Sequence, residues 1–183
     1  MSEGVEWAGY VEGLLGPLGD RWALHTAGVV EQARRVGGVV EESERHVLMA
    51  SAYLHDVGYG PALVVTGCHA LDGARHLREL GHERLAGLVA YHSGARFEAE
   101  VRGLAEELAE FTDEDSALTR LLTYCDMTTG PRGESFTLDE RLAEVSRRYG
   151  PDHVVTRSLS AARPWLEECI AWTETVLRRA ETR

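Results

Sequence analysis

The sequence predicts an all-α, single-domain helical bundle. Three observations carry this. Apolar residues recur at helical spacing through nearly the whole chain. Glycine and proline interrupt that pattern at short intervals, cutting it into about eight to ten segments. No alternating strand pattern persists beyond the short run Ala62 to Thr66. A chain of 183 residues with 44% apolar content is long enough to bury one core, so one domain over 1–183 is the simplest organisation.

The helices follow in order. Val5 to Leu15 carries Val5, Ala8, Val11, Leu14 and Leu15 on one face, and Gly16-Pro17 and Gly19 break it. Asp20 suits the N-cap of a helix over Arg21 to Val36, with Trp22, Ala23, Ala27, Val30 and Ala33 among its apolar positions. His25 lies one turn inside that helix, and Gly37-Gly38 ends it. Ser43 can cap a third helix that runs to His55 and is apolar on most sides, so it is predicted to be central. Gly58 suits the position just past the helix end, where φ > 0 is often needed.

A loop is predicted from Tyr59 to Gly67, then a helix from His69 to Leu80 closed by Gly81. Leu85, Leu88, Val89 and His92 share the next helix, which ends at Ser93-Gly94. Glu98 to Phe111 reads as one charged helix with the stripe Val101, Leu104, Leu108 and Phe111. Asp113 or Asp115 caps a helix running through Leu118, Leu121, Leu122 and Cys125 to Asp126. Thr128 to Ser135 is a loop. Thr137 with Glu140 forms a capping box for Leu138 to Tyr149, and Gly150-Pro151 stops that helix. The last helix, Ala161 to Ala180, holds Pro164 in its first turn. Its Trp165 and Trp172 either pack within the chain or form a homo-oligomer contact.

Composition narrows the function. All 19 basic residues are arginine, against 30 acidic residues, for a formal charge of −11. A long nucleic acid needs a basic face, so it is not an expected partner. A small phosphorylated ligand is compatible, because bound metal ions supply positive charge locally. No apolar run is long enough for a membrane span, and Met1 to Glu12 lacks the basic cluster of a secretory signal. Cys68, Cys125 and Cys169 are odd in number and widely spaced, which fits reduced thiols and a cytoplasmic location.

The chemistry-bearing pattern is centred on His55-Asp56, a pair that ends an apolar helix just before Val57-Gly58. His25, His92 and Asp126 also fall on or at the end of helices with an apolar face, and His69 opens one. Each alone has a bland reading: a local cap or helix terminus or, for His69, a cap or a solvent-facing residue. Together they would bury several polar groups that need partners. A metal centre satisfies them at once, since neutral imidazole and carboxylate suit first-row divalent ions.

The order His25, His55-Asp56, Asp126 resembles the HD superfamily of metal-dependent phosphohydrolases, an all-α fold named for its His-Asp pair. His69 and His92 resemble the additional ligands of the binuclear branch, and His69-Ala70-Leu71-Asp72-Gly73-Ala74 is similar to the corresponding helix start in the diadenosine tetraphosphate hydrolases. The resemblance is strongest over 21–130, leaving 131–183 as a C-terminal helical extension. It implies that His25, His55, Asp56 and Asp126 hold a first ion, and that Asp56 bridges to a second held by His69 and His92. The ions would be one or two of Fe, Mn, Co, Zn or Mg. Asp56 and His55 would be the catalytic pair, activating water or hydroxide to attack a small phosphoester or phosphoanhydride, such as a nucleotide.

Tyr59, Arg75, Arg96 and Arg132 are the substrate-side candidates. Each arginine has a surface charge as its bland reading, and Tyr59 that of an aromatic covering a helix end. Tyr59 stands where HD-GYP phosphodiesterases have lysine, and the Gly-Tyr-Pro motif is absent, so a cyclic dinucleotide is not implied. Two rivals share the ligand set: a di-iron oxygenase of the same fold, and a non-catalytic module that binds a metal or nucleotide.

Overall fold

A computed structural model describes residues 3–182. The chain is all-α. Its helices are α1 (Glu3–Leu15), α2 (Asp20–Val36), α3 (Glu42–Leu54), α4 (His69–Glu79), α5 (Glu83–Tyr91), α6 (Ala95–Arg102), α7 (Ala105–Leu108), α8 (Ala117–Met127), α9 (Leu138–Tyr149) and α10 (Val154–Glu181). Short 3-10 turns at Val57–Tyr59 and His92–Gly94 follow α3 and α5. The run Ala62 to Thr66 forms turns, and the extended pairing among the described residues is a single bridge, Thr129 with Ser135.

α3 lies at the centre, as its composition predicts. Leu48, Ala52 and Leu54 are fully buried. Leu54 joins a cluster with Val11 and Leu15 of α1, Leu71 and Leu77 of α4 and Val89 of α5. Leu48 and Ala52 join a second with Val29, Ala33 and Val36 of α2 and Leu121 and Leu122 of α8. α3 thus ends between two packed layers, which carries His55-Asp56 into the interior. α10 lies across α6, α8 and α9. Trp165 and Trp172 are half-buried against the chain's own clusters.

Several boundaries differ from the predicted ones, for identifiable reasons. α2 starts at Asp20, because Gly19 takes a φ of 93° that glycine alone adopts easily and becomes the N-cap. The buried stripe of α2 is His25, Val29, Val30, Ala33 and Val36, while Ala23 and Ala27 are exposed. α3 starts at Glu42 with Glu41 as N-cap, so Ser43 is not the cap. The predicted helix Glu98 to Phe111 is two helices, because Gly103 at φ 72° ends α6. Ser116, not Asp113 or Asp115, caps α8, its hydroxyl accepting from the Leu118 and Thr119 amides. α10 starts at Val154, so Pro164 lies inside it.

Gly58 also has a different reason for being glycine. Its φ is not positive. Instead a Cβ there would stand 2.0 Å from the His69 carbonyl oxygen and 2.5 Å from the Gly73 amide nitrogen. The turn after the His-Asp pair rests directly on the backbone of α4.

The capping box at Thr137 is formed, with Thr137 accepting from the Glu140 amide and the Glu140 carboxylate accepting from the Thr137 amide. Thr137→Ala is expected to cost about 1 kcal/mol, a fall in Tm of roughly 3 °C, with Thr137→Ser close to neutral. Thermal unfolding of both variants measures this.

Candidate metal centre

The six residues singled out arrive from five parts of the fold. His25 comes from the second turn of α2, and His55 and Asp56 from the end of α3. His69 opens α4, His92 follows α5, and Asp126 sits one residue before the end of α8. All are buried except His69, which is partly exposed.

The structure brings these side chains together in two overlapping groups. His25, His55 and Asp56 each offer a ligand atom within 4.8 Å of the others, and so do Asp56, His69 and His92. Asp56 belongs to both through different oxygens. Its Oδ2 stands 3.4 Å from His55 Nε2 and 3.9 Å from His25 Nε2, whereas its Oδ1 stands 3.5 Å from His69 Nε2. Asp126 Oδ1 stands 3.1 Å from His25 Nε2.

The hydrogen-bond partners fix which nitrogen faces inward. His25, His55 and His92 all place Nδ1 on a backbone carbonyl, of Gly130 at 3.1 Å, Ala52 at 2.9 Å and Val89 at 2.6 Å. A carbonyl only accepts, so Nδ1 carries the proton, and in the neutral ring Nε2 is a bare lone pair. These lone pairs face other acceptors. His25 Nε2 meets a carboxylate oxygen of Asp126, and His92 Nε2 lies 3.3 Å from His69 Nε2, a ring whose Nδ1 no carbonyl holds and which can take either tautomer. His55 Nε2 is fully buried with no hydrogen-bond partner at all. Converging acceptors repel unless a cation stands among them. Ligands about 2.0–2.2 Å from a common ion lie roughly 3–3.5 Å apart, which matches the spacing here. The donor set therefore fits a divalent ion of the kind that nitrogen and oxygen ligands hold.

The electrostatics show how strongly the two carboxylates favour positive charge beside them. Burial disfavours a charged His55, yet Asp56 and Asp126 outweigh it and raise its pKa to about 9. Burial, then the neighbouring histidines, hold His92 down at about 4, so that ring stays neutral. Burial works against ionisation of Asp56 and Asp126, but His55 beside the first and His25 and Arg141 beside the second keep both carboxyls well below their usual range. The two ionised carboxylates are faced by a protonated His55 and by the Arg141 guanidinium, so an ion that takes His55 Nε2 as a ligand displaces a proton.

Two further residues orient Asp126, and neither is marked in the sequence. Ser93 donates its hydroxyl to Asp126 Oδ2 at 2.5 Å, and Arg141 of α9 reaches Oδ1 at 3.3 Å. Ser93 achieves this from a left-handed backbone conformation, φ 51°, unusual for a residue with a side chain. Arg141 is anchored in turn by Glu144 at 3.1 Å, and Arg148 pairs with the same Glu144. Ser93 could have been found only from its backbone angle, and Arg141 only from the docking of α9.

The histidines and carboxylates open onto a cleft of about 750 Å³, counting space open to solvent. His25, Asp56, His69, His92 and Asp126 line it, with His55 behind them. Tyr59 lines it too, stacked on the His69 ring at 4.1 Å with Trp22 leaning on its other side. Burial and the nearby Asp56 keep the Tyr59 phenol protonated. The three arginines named from the sequence do not line the cleft. Arg75 is half-buried on α4, Arg96 lies over the Phe97 and Trp165 rings, and Arg132 is exposed in its loop. The lining arginines are Arg21, Arg141 and Arg148. Sequence neighbourhood to a ligand does not determine which way a helix turns its next residues, and this accounts for the difference.

A family model for the HD domain matches residues 22–130, the span that contains all the converging ligands. The chain belongs to the HD-domain family. HD domains form a superfamily of metal-dependent phosphohydrolases, and the two His/Asp clusters of this chain fit a divalent metal site. Comparison with curated proteins and with solved structures returned no match. No helix among the described residues is long and apolar enough to cross a membrane.

Proposed function

We propose that this HD domain is a metal-dependent phosphohydrolase acting on a small phosphoester or phosphoanhydride. The supporting observation is the set of inward-facing Nε2 atoms around two ionised carboxylates, which suits a divalent cation and opens on a cleft. His25, His55, Asp126 and Asp56 Oδ2 would hold one ion, and Asp56 Oδ1, His69 and His92 a second. Such ions supply a water of lowered pKa and offset charge on phosphoryl oxygens.

The chain's own residues do the rest. The Ala52, Val89 and Gly130 carbonyls lock three rings in the ligating tautomer. Ser93 and Arg141 hold Asp126 against rotation, and Tyr59 packs His69 in place. Arg21 at the cleft supplies a guanidinium to the substrate side.

Metal content of anaerobically purified protein, with phosphate release from a broad phosphoester panel under Mn²⁺, Co²⁺, Mg²⁺ and Fe²⁺, tests the proposal. About two ions per chain are expected, falling to about one in the His69→Ala/His92→Ala double variant. Substrate-dependent O₂ consumption with a silent panel would favour the di-iron oxygenase. Protein that holds no metal and gains no thermal stability from any ion would remove the site altogether.

Ser93 gives a second test that separates fold from site. Ser93→Gly relieves the left-handed backbone while deleting the hydroxyl. It is expected to leave thermal stability of the apo protein unchanged or up by about 1 kcal/mol. Affinity for Mn²⁺ should fall about 10- to 100-fold, read by calorimetric titration.

A further inference from the structure

We infer that the substrate is a phosphomonoester whose alcohol carries an apolar or aromatic group, selected by helices α9 and α10. This rests on the phosphohydrolase reading and deepens it. Both helices lie outside the span that matches the family, so the wall they build belongs to this chain's own extension.

The cleft is graded along α9. Arg141 touches Asp126 at the ionic end, and Val145 and Arg148 follow on the same helical stripe. With a rise of 1.5 Å per residue, Arg148 lies roughly 10 Å farther out, about the length of one small organic group. Val155 and Leu159, one turn apart on α10, face the same space, and Met127 of α8 adjoins them. Val145, Val155, Leu159 and Met127 therefore give this wall an apolar stretch, beside Tyr149 and a Ser158 whose hydroxyl is spent on the Val154 carbonyl. A sugar or a second phosphate placed against that stretch would lose water and gain few partners.

Charge argues the same way. Of the three lining arginines, Arg141 is paired with Asp126 and Glu144, and Arg148 with Glu144. Among the described residues, Arg21 has no carboxylate partner, while Glu98 is paired with Arg102 and Asp126 with Arg141, which leaves Asp56 as the carboxylate of the cleft without an arginine. One phosphoryl group at the metal ligands can be neutralised here. A chain of phosphates extending past them would meet one free guanidinium.

The test compares phosphate release from benzyl phosphate, glycerol 3-phosphate and ATP by Mn²⁺-loaded protein. The first two share a primary alkyl leaving group, so their difference reports recognition. Benzyl phosphate is expected to show kcat/KM about tenfold or more above both others. Leu159→Asn and Val155→Asn should each lower that value about fivefold, through KM, and leave glycerol 3-phosphate within about twofold. Val155 lies outside the buried clusters, so its variant carries the test if Leu159→Asn fails to fold. Glycerol 3-phosphate or ATP turning over as well as benzyl phosphate overturns the inference and leaves the hydrolase reading standing. So does an equal loss on all three substrates in both variants. Silence on all three with Mn²⁺, Co²⁺, Mg²⁺ and Fe²⁺ overturns the hydrolase reading, and the inference with it.

Discussion

Asp56→Ala is expected to abolish metal-induced stabilisation and phosphate release together, the latter by at least about a thousandfold. Asp56 is the one residue common to both ligand groups, presenting Oδ2 to His25 and His55 and Oδ1 to His69. Its loss removes a ligand from each ion position and half of the carboxylate charge that draws cations into the interior. Asp126 is then the one carboxylate left among the histidines to offset the charge of an entering cation. Stability gives a readout independent of turnover. Wild-type protein with free metal at a hundred times its Kd should gain about 2.7 kcal/mol, because the ion binds the folded state. Asp56→Ala should gain none at the same concentration. Asp56→Asn, which keeps the shape and one neutral oxygen, should fall between wild type and Asp56→Ala. Full metal binding by Asp56→Ala would refute the shared-carboxylate arrangement.

Gly58→Ala is expected to destabilise the fold by about 3 kcal/mol, a fall in Tm of roughly 10 °C. The added Cβ would fall 2.0 Å from the His69 carbonyl oxygen, 2.8 Å from its carbonyl carbon and 2.5 Å from the Gly73 amide nitrogen. Those atoms are backbone, so no side-chain rotation relieves the clash, and the Val57–Tyr59 turn and α4 must separate. That movement opens the distance between Asp56 and His69, now 3.5 Å. The second ion should therefore be lost at lower chelator concentration than the first, seen as a two-step titration of metal content. Gly38→Ala is the matched control. A Cβ there meets nothing within 4 Å, and Gly38 does not need a positive φ. Its stability should stay within about 0.5 kcal/mol of wild type.

The helical pattern was readable because helix signals are local. The capping box at Thr137 depends on residues three apart, and the apolar stripes on spacings of three and four. Where the reading missed, a neighbouring residue won a local competition. Gly19 displaced Asp20 as the cap of α2, Ser116 displaced the two aspartates before α8, and Gly103 cut one predicted helix in two.

The converging histidines and aspartates stood out for a related reason. Ionisable groups at the buried ends of apolar helices are costly alone, so their presence in the sequence already asked for a shared partner. Nothing in the sequence separates Arg141 from the other charges of α9. It becomes special only because α9 docks where the guanidinium meets Asp126. Ser93 looks like an ordinary residue after a helix until its left-handed backbone aims the hydroxyl at the same carboxylate.

Local spacing and side-chain chemistry are enough to fix the helices, the buried run that ends in His55-Asp56, and the residue types able to hold a metal. The tertiary structure decided the rest: which oxygen of Asp56 faces which histidine, why position 58 must be glycine, and which arginines meet the cleft. Those are distances between residues far apart in the chain, set by how helices pack, and helix packing has no local code.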